Sequence, residues 1–217
     1  MTMNQDLLRQ FTELGDPTLL LLGGFGTFFY LWTDDRRRVL ARSWTVALGL
    51  SVLLTVASKF AFYFVGEGQR NPFSLRSPSG HVAMATGFYG RCALLLSAGR
   101  FRAARVLIYV GTTTLVGMLA ASRIMLGWHT VPEIAAGFAI GAFCLAVFHI
   151  HLGSARRIVV NARQLTTLLL LIAVAHYSHV DGEPLLQRIA QKLDFWRTGQ
   201  TSAFAAAQFG IRDRRNY

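Results

Sequence analysis

This sequence is poor in cysteine, in acidic residues and in charge of any kind. Its two cysteines, Cys92 and Cys144, both fall inside apolar segments, which excludes a disulfide framework and leaves the redox compartment unmarked. Charged side chains make up 15% of the 217 residues and apolar ones 53%, too apolar a balance for an ordinary soluble domain, and the length excludes two sizeable ones. Acids number 11 against 22 lysines and arginines, a net charge of +11. Such an excess can signal nucleic-acid binding. Here, however, the arginines lie in short clusters between apolar runs, the pattern by which a membrane protein sets its orientation. Nucleic acid is therefore set aside as a partner, and an integral membrane protein is expected. Also missing is a basic start with a small-residue cleavage site around the first long apolar run, so no removable signal peptide is predicted.

The apolar runs predict an all-α polytopic membrane protein with six transmembrane helices and a short amphipathic helix at each terminus. Residues 1–16 carry Leu7, Leu8, Phe11 and Leu14 at helical spacing and read as an interfacial helix. Spans are expected at about 17–32, 44–65, 80–98, 104–121, 131–151 and 165–178. Together residues 1–178 form the expected membrane domain. Residues 179–217 form a tail in which Leu186, Ile189, Leu193 and Trp196 share one helix face. Arg91, inside the third span, is read as snorkelling toward Arg100 and Arg102. Gly137 and Gly141, in a G-x-x-x-G pattern, predict close helix packing. His149 and His151 read as interfacial, and His176, His179 and Asp181 as surface residues, with no third fixed metal ligand in view.

Two short runs at the boundaries of these spans carry the chemistry. Ser122–Glu133, SRIMLGWHTVPE, places Arg123 six positions before His129, and Glu133 four positions after it. Ser77–His81, SPSGH, supplies a second imidazole behind a Ser/Pro/Gly turn, with Ser77 read as a helix N-cap and Pro78 as the first helical residue. An anion at that helix start would meet free backbone N–H groups and the positive end of the helix. Two imidazoles, a carboxylate and arginines suit phosphoryl transfer: one imidazole attacks phosphorus, the other carries the leaving oxygen's proton, and cations hold the developing charge. Glu133 also fits a capping box begun by Thr130, and the two roles are compatible. Lys59, near the end of the second span, could snorkel, but its place just before SPSGH points to function.

The runs P-S-G-H at Pro78–His81 and S-R-x5-H-x3-E at Ser122–Glu133 resemble the second and third signature motifs of the type 2 phosphatidic acid phosphatase superfamily. That resemblance implies His129 as nucleophile, His81 as general acid and base, and Arg123 as phosphate ligand, with Ser79 and Gly80 adding contacts from the loop. Two positions depart from the family pattern. Glu133 stands where the family usually has Asp. The first motif, K-x6-R-P, is broken, because Lys59 is followed after six residues by Gly66 and Glu67. Arg70 or Arg76 could replace the missing arginine, and Arg76 is favoured for its closeness to SPSGH.

The function expected is hydrolysis of a lipid phosphate or diphosphate through a phosphohistidine, with a lipid phosphate substrate, no cofactor and no metal, the cations supplying the positive charge. Rival readings are a phosphotransferase using the same residues, a metal hydrolase with His81, His129 and Glu133 as ligands, and a non-catalytic lipid-phosphate-binding membrane protein. Nothing in the sequence fixes an oligomeric state. Arg36, Arg37, Arg38 and Arg42, then Arg100, Arg102 and Arg105, then Arg156, Arg157 and Arg163 fall on the face opposite the expected site. By the positive-inside rule that face is cytoplasmic, and the site faces the periplasm of a bacterial inner membrane. Arg188, Lys192, Arg197, Arg212, Arg214 and Arg215 of the tail run against this orientation.

Overall fold

The computed structural model describes residues 3–66 and 77–153, together with Asn161 and Thr167. By contact the chain divides into two units, Met1–His179 and Val180–Tyr217. Among the described residues the structure is all-helical: α1 (Met3–Glu13), α2 (Pro17–Trp32), a 3-10 turn (Asp35–Arg37), α3 (Arg38–Gly66), α4 (Gly80–Ser97), α5 (Arg102–Met125) and α6 (Val131–Leu152). Among the described residues three stretches are long and apolar enough to cross a membrane: Asp35–Phe62, Arg102–Met125 and Val131–Leu152. At about 1.5 Å per residue the last two reach past the ~30 Å of a hydrocarbon core.

The other expected spans stand differently. α2 is apolar but only 16 residues long. α4 has 18 residues, among them His81, Thr86 and Arg91, and it is the helix that the others enclose, packing against α2, α3, α5 and α6. The sixth span, at 165–178, and the tail helix lie outside the described residues, as do His176, His179 and Asp181. The N-terminal segment does form a helix, α1, which packs against α5.

Local chemistry explains where the helices start. Pro17 opens α2, and Asp16 caps it by accepting from the amides of Thr18 at 2.8 Å and Leu19 at 3.0 Å. The start of α4 differs from expectation. Ser79, not Ser77, is its N-cap, because the Ser79 N–H is taken by the carbonyl of Glu133 at 3.0 Å and the helical ladder begins only with Ala83 N–H donating to Ser79 O.

Packing then sets the helices against one another. Trp44 of α3 is buried, donates from Nε1 to Gly24 O at 2.9 Å, and meets Phe88 and Phe148 edge to face at 5.8 and 6.0 Å. Gly137 and Gly141 let α6 lie directly on α4, as their spacing predicts. A Cβ at Gly137 would stand 2.6 Å from Ser79 O, and one at Gly141 2.6 Å from Ala83 O and 2.5 Å from the Thr86 Cβ. Arg91 does not snorkel. It is fully buried on α4, with its guanidinium 5.1 Å from the Trp44 ring and Nη1 donating to Ser51 Oγ at 3.1 Å. Gly87 one turn earlier and Ser51 opposite make room for it, so its charge is held inside the bundle.

Alternating helix directions bring the C-terminal ends of α3 and α5 and the N-terminal ends of α4 and α6 to one end of the bundle. Arg36, Arg37, Arg38, Arg42, Arg100, Arg102 and Arg105 fall at the other end, with the exposed His149 and His151. Gly141→Ala is expected to destabilise the bundle by about 1–3 kcal/mol, the usual cost of overpacking. The check is thermal unfolding in detergent, against Gly111→Ala, where a Cβ meets nothing within 4 Å.

Candidate active site

The turn between α5 and α6 is built on the backbone of Arg123. Leu126 N–H closes the last turn of α5 on Ser122 O at 3.0 Å, and Gly127 follows at φ +68, a left-handed conformation that disfavours side chains. The chain folds back, so that Trp128 and His129 both donate their amides to Arg123 O, at 3.1 and 3.3 Å. In this way the turn sets His129 beside the helix end that carries Arg123. The Arg123 guanidinium is buried and lies over the Trp128 ring, 4.5 Å from its centroid.

Glu133 holds this turn from the other side. One oxygen, Oε2, lies 2.9 Å from His129 Nδ1 and accepts the Thr130 N–H at 3.0 Å. The second contact is the carboxylate half of a capping box, so one carboxylate oxygen meets both the helix start and the imidazole. With the carboxylate as acceptor, the neutral imidazole carries its proton on Nδ1 and presents a lone pair at Nε2.

The same residue fixes the SPSGH loop, through the bond from Ser79 N–H to Glu133 O. From there α4 begins, and the amides of Gly80, His81 and Val82 precede its ladder, leaving them directed out of the helix end. Lys59 reaches this end from α3: a Cβ placed on Gly80 would be 3.4 Å from Lys59 Cε and 3.8 Å from Nζ. Ser79 Oγ, Thr55 Oγ1 and His81 Nδ1 are buried here and have no hydrogen-bond partner among the described residues. Three buried polar atoms beside open helix amides and a lysine suit the oxygens of an anion. On its outer side His81 Nε2 stands 3.8 Å from Asp16 Oδ2.

Electrostatics joins the parts. Arg123 and Lys59 lie within electrostatic reach of both His81 and His129, and the two imidazoles reach each other. The pKa of His129 is lowered from 6.5, first by burial; the Glu133 hydrogen bond and charge oppose the shift, and the charges of Arg123 and Lys59 add to it. The imidazole is thus uncharged at neutral pH, the form a nucleophile needs. Among the described residues no three His, Cys, Asp or Glu side chains converge as a metal would require.

The structure therefore brings Lys59, Ser79, Gly80, His81, Arg123, His129 and Glu133 to one place. Arg76, expected to replace the missing first-motif arginine, lies outside the described residues, as does Arg70. The profile of the PAP2 superfamily, the type 2 phosphatidic acid phosphatases, matches residues 55–157, which take in all seven. A relative from Klebsiella pneumoniae, named "Uncharacterized 22.5 kDa protein in cps region", is 33% identical over 150 residues, 67% of this chain and 68% of that protein. This chain belongs to the PAP2 superfamily. No solved structure matches it significantly. Membership of the PAP2 superfamily implies phosphatase-type activity on phosphate esters.

Three residues around this PAP2 site were not singled out from sequence. Thr55 sits one helical turn before Lys59, a spacing that could have found it. Trp128 is adjacent to His129, but nothing local says that it lies against Arg123. Asp16 carried one signal only, its place before a proline at the head of an apolar run, and that signal accounts for the cap and not for the contact with His81.

The opposing influences on His129 give a test by sign. In a histidine-labelled NMR titration its midpoint is expected below the ordinary 6.5. Glu133→Gln should move it further down, and Lys59→Gln should move it up. A wild-type midpoint at or above the ordinary value would contradict the burial described here.

Proposed function

We propose that this protein is a membrane phosphatase that hydrolyses a lipid phosphate or diphosphate through a phosphohistidine, at the non-cytoplasmic face. The observation that carries the reading is the double hold of Glu133, whose side chain orients His129 and whose backbone anchors the loop leading to His81. Nucleophile and acid are thereby referred to one residue.

In this mechanism the phosphate lies at the N-terminus of α4, among its open amides, Ser79, Arg123 and Lys59. His129 Nε2 attacks phosphorus. As the P–N bond forms, the bond to the ester oxygen breaks, and His81 gives that oxygen its proton, releasing the alcohol. His81, now neutral, takes a proton from water as the water oxygen attacks the phosphohistidine. The P–N bond breaks, phosphate leaves and His129 is restored. The fixed cations and amides oppose the charge on the phosphoryl oxygens throughout, and they are in place before the substrate arrives.

A lipid substrate is supported by what surrounds the turn. Ile124, Met125, Trp128 and Val131 are exposed at 39, 70, 44 and 63%, an apolar rim beside the cations. Such a rim suits acyl or prenyl chains remaining in the bilayer while the headgroup enters the site. The outward orientation is supported by the arginines gathered at the opposite end of the bundle.

His129→Ala is expected to abolish phosphate release from phosphatidate, phosphatidylglycerol phosphate and polyprenyl diphosphate in mixed micelles, with the thermal transition unchanged. Arg123→Ala should reduce turnover by about 100-fold or more, the scale of losing one transition-state donor. Wild type quenched in alkali during turnover of ³²P-labelled substrate should retain label that acid removes. Near-normal release by His129→Ala, or label absent from wild type and equal in the variant, would sink the reading. Adding an excess of alcohol acceptor separates hydrolysis from phosphotransfer.

A further inference from the structure

We propose that Asp16 is the carboxylate partner of His81, a positioning residue that orients this imidazole and supports its protonated form. The proposal rests on the phosphatase reading above and assigns a role at a position outside residues 55–157, the part matched to the family.

The two oxygens of Asp16 are committed differently. Oδ1 accepts from the amides of Thr18 and Leu19, which locks the carboxylate to the start of α2. Oδ2 is left facing His81 Nε2 at 3.8 Å. That distance is a charge contact and not a hydrogen bond, of the kind that tightens when a site fills. The side chains are only 12 and 21% exposed, so water screens the contact little.

Two further contacts hold the turn that presents Asp16. Tyr89 OH donates to Leu14 O at 2.8 Å, tying the turn to the helix that carries His81. Gly15 lies against His81 itself, where a Cβ would be 3.7 Å from that of the histidine. Nothing about capping α2 requires this clamp. Its effect is to keep one carboxylate oxygen beside one imidazole.

The chemistry calls for such a partner. A general acid must hold its proton when the substrate arrives, and after the transfer it must accept one from water. The titratable groups that face His81 are Arg123, Lys59 and His129 from α5, α3 and the α5–α6 turn, and Asp16 from the head of α2. The first three are cationic or neutral. Asp16 is the carboxylate beside this ring, at 3.8 Å where Glu133 stands 2.9 Å from His129.

Leaving-group dependence tests this without relying on a loss of fold. Asparagine caps a helix as well as aspartate does, so Asp16→Asn removes the charge and keeps α2. On an alkyl phosphate such as phosphatidate, whose leaving oxygen must be protonated, kcat/KM is expected to fall about 10- to 100-fold, no more than the lower bound of the roughly 10²–10⁴ that a general acid supplies. On p-nitrophenyl phosphate, whose leaving group departs as the anion, the fall should stay within about 3-fold, by the same dependence on leaving-group protonation. In a His81→Ala background, Asp16→Asn should cost nothing more on either substrate. Tyr89→Phe, which releases the turn without touching a reacting atom, should show the same selectivity in weaker form. If Asp16→Asn melts early, Asp16→Ser, also a cap, is read in its place. Equal losses on the two substrates, no loss on phosphatidate, or full additivity with His81→Ala would overturn the role of Asp16 alone. A wild-type protein that releases phosphate from neither substrate would overturn the phosphatase reading and this proposal with it.

Discussion

The contact on which the site depends is the bond from Ser79 N–H to the carbonyl of Glu133. It joins two segments more than fifty residues apart, and it does so at the residue whose side chain already holds His129. Were the loop free, His81 and the amides of α4 could move relative to His129. The bond is possible only because α6 lies directly on α4, and that closeness rests on Gly137, where any side chain would strike the carbonyl of Ser79 itself. A packing requirement deep in the bundle and the relative placement of the SPSGH loop and Glu133 are therefore the same requirement.

Buried charge is treated in two ways. Arg123 sits in the last turn of α5, where the helix dipole favours a cation, and Lys59, further back along α3, reaches the N-terminus of α4, where a phosphate would be favoured. These cations are placed where an anion can reach them. Arg91 is placed where none of the described acids does: its guanidinium rests on Trp44 and Ser51 in the middle of α4. Its distance along α4 from His81, about 15 Å at the helical rise, sets it apart from the cluster at the helix start.

Much of this could be read from the chain because the informative residues are local to one another. The spacing of Arg123, His129 and Glu133 spans a single turn, and the capping-box pattern locates Glu133 at the third position of α6 before any coordinates are known. The G-x-x-x-G pattern was legible for the same reason, since helical periodicity alone puts Gly137 and Gly141 on one face. What could not be read were contacts between distant segments. Arg91 lies nine residues from Arg100, close enough in sequence to suggest snorkelling, yet its surroundings are set by Trp44 and Ser51 on another helix. The start of α4 moved from Pro78 to Gly80 because a carbonyl of α6 claims the amide of Ser79. Asp16, which was not singled out at all, caps α2 through one oxygen, and its second oxygen acquires meaning only once α2 and α4 stand side by side.

The substitution of Glu for the family's usual Asp at position 133 follows from the same geometry. A carboxylate at the third helical position that must accept the N-cap amide is the glutamate of a capping box, and the additional methylene is what allows the reach back along the turn. Here Oε2 satisfies that amide at 3.0 Å and still lies 2.9 Å from His129 Nδ1. One oxygen thus caps the start of a helix and selects a tautomer, so the imidazole is oriented by the element that starts α6. The longer side chain does not loosen the site. It ties His129 to the helix start more directly, because any movement of His129 away from Glu133 would also strain the first turn of α6.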